Sequence, residues 1–172
     1  MSLPTIVFSH GSESGPWGSK IRAMSGMAKG LGCAIDSIDY QGIADPTERA
    51  DKLTGACESI SGDIILVGSS MGGYVAAAAA TPVEAIGLFV LAPAFYMPGY
   101  EELTPLPPRI PIEIVHGWGD EIVPPENSIR YARECAATLH LLNGDHRLTN
   151  NIDEINFFLE RFIIRISARE SA

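Results

Sequence analysis

The chain has 172 residues, 46% of them hydrophobic, and a formal net charge of −9. That length suits one domain able to bury roughly 70% of its unfolded surface without disulfides or metals. The acidic balance argues against nucleic acid, which demands a basic surface, and the three scattered cysteines, Cys33, Cys57 and Cys135, read as small buried hydrophobes with no disulfide framework.

The first predicted strand runs from Thr5 to Ser9 and leads into His10-Gly11-Ser12. A helix is expected from about Ser19 to Leu31, with Ile21, Met24, Ala28 and Leu31 on one face and Gly32 ending it. Around Ala34 to Asp39, alternating apolar and polar residues predict an edge strand with one wet face. Asp45-Pro46-Thr47-Glu48 is a helix start, with Asp45 as cap, and the helix reaches about Ile60, burying Ala50, Leu53, Cys57 and Ile60.

Next comes the most informative stretch. The apolar run Ile64-Ile65-Leu66-Val67 meets Gly68-Ser69-Ser70-Met71-Gly72, which opens a helix over Tyr74 to about Pro82. Strand, glycine turn and helix in this order suit a sharp turn that holds its central serine up at the sheet edge. Side chains at 68 or 72 would collide with neighbouring elements. Ser70 stands at the helix start, where the Met71 N–H and the helix N-terminus favour negative charge, while Ser69 is expected to point away. A phosphate cradle is the other physical reading of such glycines, but the stretch lacks both G-x-x-x-x-G-K-[ST] and G-x-G-x-x-G.

Strand Ile86 to Leu91 follows. Residues 92–111, rich in proline and carrying Phe95, Tyr96, Met97 and Tyr100, form either a flap walling a pocket or a surface loop pinned by its own aromatics. Strand Ile112 to Val115 leads through His116-Gly117-Trp118-Gly119 to Asp120. A helix from Pro125 to Ala136, a strand from Thr138 to Leu142 and the loop Asn143-Gly144-Asp145-His146 come next. The last helix starts at Asn151 as cap, with Glu154 three residues on, and turns Ile152, Ile155, Phe158, Leu159 and Phe162 inward.

A serine hydroxyl is a weak nucleophile and needs a base, commonly a histidine oriented by a carboxylate. Ser70, Asp120 and His146 each follow a predicted strand, in the order that this turn requires. Glu121 and Asp145 compete for the acid role, and His116 and His140 for the base. His140 lies within a strand, out of reach of a loop-borne serine, and His116 reads either as packed or as a residue supporting the site from behind. The four histidines lack metal-ligand spacing, and neither metal nor cofactor is expected.

These residues resemble the α/β-hydrolase family. Ser9-His10-Gly11-Ser12, the turn at Ser70, the loop from Gly117 to Pro124 and Gly144-Asp145-His146 match it in order, and the resemblance extends from Thr5 to about Phe162. It implies one domain over 1–172, a three-layer αβα sandwich on a mainly parallel six-stranded sheet, without the family's first two strands or a cap domain. By this resemblance Ser70 is the nucleophile, His146 the general base and Asp120 the orienting acid. The N–H groups of Met71 and Ser12 form the oxyanion hole, and His10 packs within its loop. The implied activity is cleavage of small to medium carboxylic esters or thioesters through an acyl-enzyme. Phe95, Tyr96 and Met97 are expected around the substrate pocket, and Trp17 and Trp118 either line its entrance or serve packing roles.

Two other classes stay open on sequence alone: a non-catalytic ligand receptor on the same fold, and a triad enzyme running perhydrolysis or carbon–carbon cleavage. The N-terminal stretch lacks the basic and long apolar regions of a signal peptide, no apolar run spans a membrane, and the expected location is cytoplasmic. A monomer is expected, or a homodimer formed at the second-strand edge.

Overall fold

Short aliphatic runs separated by amphipathic helices fold into alternating strands and helices, and the computed structural model describes residues 3–169 of this arrangement. The strands are β1 (Thr5–Ser9), β2 (Ile35–Ile38), β3 (Ile64–Ser69), β4 (Gly87–Leu91), β5 (Ile112–Gly117) and β6 (Thr138–Leu142). The helices are α1 (Ser19–Leu31), α2 (Pro46–Cys57), α3 (Met71–Ala79), α4 (Pro125–Cys135) and α5 (Ile152–Arg169). All strands pair in parallel in the order β2-β1-β3-β4-β5-β6.

Pleating sends successive side chains to opposite faces, so a strand covered on both sides must be apolar throughout. In β3, Leu66 packs with Val7, Leu88 and Ile114 under α2, α3 and α4. Ile65 and Val67 pack with Phe8, Phe89 and Leu91 under α1 and α5 on the other face. The result is a three-layer sandwich with helices on both sides of the sheet.

This topology creates the site's location. The connection leaving β1 crosses one face through α1 to β2, whereas the connection leaving β3 crosses the opposite face through α3 to β4. The adjacent carboxyl ends of β1 and β3 therefore send their chains apart, leaving a crevice between them.

Element ends depart from the sequence reading in small ways. Helix α2 stops at Cys57, short of Ile60, because its last turn tightens through Glu58 N–H to Gly55 O. Asp45 caps it as expected, its Oδ1 accepting from Thr47 N at 2.7 Å. Asn151 lies in a short 3₁₀ turn, Thr149–Asn151, and its side-chain amide donates to Asn143 O and Glu154 Oε1. Helix α5 starts one residue later, leaves Ile152 and Phe158 half-buried, and adds Ile163 and Ile166 to the core.

Candidate active site

Ser70 sits between the last residue of β3 and the first of α3 with φ 56° and ψ −122°. An L-residue avoids this backbone region, at a cost of roughly 1–3 kcal/mol, so the surroundings must enforce it. Two hydrogen bonds and two glycines show how. Ser70 N–H donates to Leu91 O at 2.9 Å, and its carbonyl accepts from Ala94 N at 3.0 Å, pinning the turn to the end of β4. A Cβ on Gly68 would run into the Gly72 carbonyl, and one on Gly72 into the carbonyls of Ser9 and His10. Glycine at both positions lets α3 start directly against β1 and β3.

The loops after β5 and β6 meet this turn. His146 Nε2 lies 3.1 Å from Ser70 Oγ, and His146 Nδ1 lies 2.7 Å from Asp120 Oδ2. A carboxylate only accepts, so Nδ1 carries the proton and Nε2 is left to accept from the serine hydroxyl. The three residues expected to work together thus form one continuous hydrogen-bonded chain. The competing acids do not join it: Glu121 is exposed, and Asp145 Oδ1 accepts from Leu148 N. His140 pairs with Glu113 at 2.6 Å on the far side of β5.

Asp120 is held from every side. Its Oδ1 accepts from Ile122 N and Val123 N at 2.9 and 2.8 Å, and its Oδ2 accepts from His146 and from His116 Nε2 at 3.0 Å. The side chain is fully buried. Burial pushes a carboxyl pKa up, but the Val123 N–H, the bond from His146 and the Ile122 N–H more than offset it, leaving Asp120 below its ordinary value.

His116 does more than pack. Its Nε2 faces two acceptors, Asp120 Oδ2 and Val123 O at 2.9 Å, so it carries the proton, while Nδ1 lies 2.7 Å from Ser128 Oγ. Burial lowers its pKa, against the opposing pull of Val123 O and Asp120, and keeps the ring neutral. Its position directly before Gly117, four residues from the acid, was the only sequence signal of this role.

The loop after β1 approaches Ser70 closely: a Cβ on Gly11 would lie 3.5 Å from Ser70 Cβ. Two groups brace it. His10 Nδ1 donates to Gly11 O at 2.7 Å, while His10 Nε2 accepts from Tyr40 N at 2.9 Å. Arg49 is buried, and it donates to Ile43 O at 2.7 Å and Gly11 O at 3.2 Å. Sequence reading missed Arg49, because a charged residue on an amphipathic helix is ordinarily solvated. Ser12 lines the same cleft as Ser70 and His146, and Met71 begins α3.

That cleft has a volume of about 410 Å³. Ile21 and Met24 form its apolar floor, and Gly11, Ser12, Lys20, Ser69, Ile122 and Arg147 contribute its walls. The aromatic pocket expected from the sequence requires correction. Phe95 is wholly buried and stacks on Tyr131 of α4 at 4.0 Å. Tyr96 donates to Glu134 Oε2 at 2.9 Å and lies under Arg130, and Met97 is half-buried beside it; none of the three lines the cleft. Tight turning at Ala92 and Tyr96, with φ of 40° and 51°, directs this segment toward α4. Residues 92–111 are therefore the loop pinned by its own aromatics. Trp17 and Trp118 are exposed, at 42% and 57%, and lie outside the lining. Ser69, expected to point away, lines the cleft and accepts from Lys20 Nζ at 3.2 Å. Among the described residues, no group of three or more His, Cys, Asp or Glu could hold a metal ion.

Comparison with known proteins agrees with this architecture. The sequence pattern described as the alpha/beta hydrolase family matches residues 6–156. Palmitoyl-protein thioesterase ABHD10, mitochondrial, of Bos taurus is 26% identical, over 87% of this chain and 69% of that protein. A crystal structure of an alpha/beta superfamily protein from Xanthomonas campestris pv. campestris superposes with a TM-score of 0.87 at 27% identity, covering 94% of this chain and 99% of the other. The serine hydrolase XC6422 from Xanthomonas campestris, described as having no lid, shares the fold with a TM-score of 0.77 at 18% identity, covering 95% and 86%.

Proposed function

The chain belongs to the α/β-hydrolase family, and from that membership we propose that it is a serine hydrolase cleaving small to medium carboxylic esters or thioesters through an acyl-enzyme on Ser70. One observation carries this reading: Ser70 Oγ, the His146 ring and Asp120 Oδ2 are linked at 3.1 and 2.7 Å, with the ring in the tautomer that can take the serine proton.

His146 Nε2 removes the Ser70 proton as Oγ attacks the carbonyl carbon, and the carbonyl oxygen becomes an alkoxide. The N–H groups of Met71 and Ser12 stabilise that charge. The intermediate collapses, the acyl–oxygen or acyl–sulfur bond breaks, and the His146 imidazolium protonates the leaving group. Water then attacks the Ser70 ester, giving its proton to His146, and the acid departs with Ser70 restored. Asp120 keeps the ring in place and stabilises its cationic form. The thioester branch draws support from the likeness to a palmitoyl-protein thioesterase. The limited cleft of about 410 Å³ with an apolar floor favours modest acyl groups.

The test pairs a fluorophosphonate probe with chromogenic esters and thioesters of graded acyl length. Covalent label on Ser70 and turnover that peaks at short to medium chains are expected. Folded protein that takes no label and turns over no ester would indicate a ligand receptor instead.

A further inference from the structure

The proposed reaction makes no use of Lys20, although Lys20 lines the cleft next to Ser70. Lys20 stands in the first turn of α1, half-buried, and its Nζ donates to the hydroxyl of Ser69, the residue before Ser70. That neutral oxygen is its hydrogen-bond partner among the described residues. On the loop after β6, Arg147 follows His146 directly and lines the same cleft.

We propose that Lys20, aided by Arg147, forms a subsite for a carboxylate carried by the substrate, so that the protein acts on esters or thioesters with an anionic group near the scissile carbonyl. The proposal rests on the hydrolase reading above and narrows its substrate class.

Three physical points support it. The placement of Lys20 contradicts what helix stability alone favours, because the N-terminal turn of a helix attracts anions and repels cations. The first turn of α1 carries no acidic residue, its cap Gly18 makes no side-chain bond, and Gly18, Ser19, Lys20 and Ile21 all face the cleft. An anion there would meet both the ammonium and the helix terminus.

Second, the hydrogen bond of the ammonium goes to a neutral hydroxyl, and Asp145 and Asp120 act on it only through space. Burial is the chief cause that lowers its pKa, to about 8, with Arg147 adding to the effect and Asp145 and Asp120 opposing it. Glu13, His10 and His146 are the other titratable groups lining the cleft. A bound carboxylate would supply a counter-charge in direct contact and an acceptor for the remaining ammonium protons. Third, a net charge of −9 repels anionic ligands in general, so a local cation is needed to admit one.

The experiment compares matched ester pairs. For an acyl-side carboxylate the pair is 4-nitrophenyl hydrogen adipate and 4-nitrophenyl hexanoate; for a leaving-group carboxylate it is 4-acetoxybenzoate and its methyl ester. In at least one pair, kcat/KM is expected to favour the anion by about tenfold or more, and the pair that responds identifies which side the subsite holds. Lys20→Met should remove most of the preference, Lys20→Arg should retain part of it, and the exposed Lys29→Met should leave it unchanged. The wild-type preference should fall as pH rises through about 8, where Lys20 loses its charge. Circular dichroism and fluorophosphonate labelling of Ser70 confirm that each variant is folded.

A binding arm avoids dependence on turnover. On the Ser70→Ala protein, calorimetry should show monomethyl adipate binding about tenfold or more tightly than dimethyl adipate. Labelled Ser70 with equal rates within both pairs, or a preference that survives Lys20→Met, would overturn the subsite while leaving the hydrolase reading intact. Absent labelling with selective monomethyl adipate binding would do the reverse.

Discussion

His116 and His146 hydrogen-bond the same oxygen of Asp120, at 3.0 and 2.7 Å. Their surroundings differ. His116 is fully buried and clamped by Ser128 and Val123, whereas His146 rides on the loop after β6 and remains partly open to the cleft. One imidazole is therefore part of the frame and the other faces the cleft, with a shared carboxylate between them.

His116 should accordingly act as a positioning residue. His116→Leu removes one of the four hydrogen bonds that hold Asp120 and loosens its Oδ2; turnover should drop roughly 10- to 100-fold, since small misplacements are costly in a preorganised site. His116→Gln, whose amide can replace the Nε2 proton, should recover much of the loss. The loss should appear in kcat while KM changes little. Equal activity in the Leu variant and wild type would remove His116 from the mechanism.

Ser70→Ala should lower ester turnover by roughly 10⁴- to 10⁶-fold while the protein stays folded, and His146→Ala by nearly as much. Asp120→Asn should cost somewhat less. The double variant Ser70→Ala/His146→Ala should be little worse than either single one, because the residues act as a unit. Losses that multiply in the double variant would speak against a common step.

Gly72→Ala should unfold the site region or the protein. The added carbon would meet the Ser9 and His10 carbonyls, which are backbone and cannot swing away. Destabilisation above about 3 kcal/mol is expected, beyond what most single substitutions cost. A thermal midpoint within about 2 °C of wild type would show that α3 does not start as closely against β1 as described.

Stability should fall on acidification, with a share due to His116. Burial lowers the folded-state pKa of His116, and the unfolded chain titrates near 6.5, so on acidification the unfolded state takes up protons first. The His116 contribution is complete above about pH 6.5 and is lost as pH falls through its folded value. Asp120, also lowered on balance, contributes in the same direction below about pH 4. Calorimetry between about pH 7 and 5 should give a steeper decline in melting temperature for wild type than for His116→Gln. Identical slopes would mean that another group controls the transition.

Local chemistry made much of this protein readable before any fold was known. Alternating apolar runs and helix caps marked β1 to β6 and α1 to α5 within a few residues, because pleat and helix periodicity are properties of neighbours in the chain. Gly68 and Gly72 around Ser70 identified the turn for the same reason. Ser70, Asp120 and His146 could be singled out as partners because each lies within four residues of a strand end and parallel strands deliver their carboxyl ends to one rim of the sheet, while the roles given to them came from the family resemblance.

What needed the tertiary structure were relationships across the chain. Whether Phe95 walls a cleft or fills the core depends on Tyr131, 36 positions away in sequence and 4.0 Å away in space. Arg49 becomes a brace only because α2 brings it beneath Gly11, and Lys20 becomes a cleft residue only because α1 starts beside β3 and puts Nζ on Ser69. Sequence periodicity reports which face of an element is apolar. It is silent on which polar groups of distant elements meet, because those meetings follow from sheet order and helix placement.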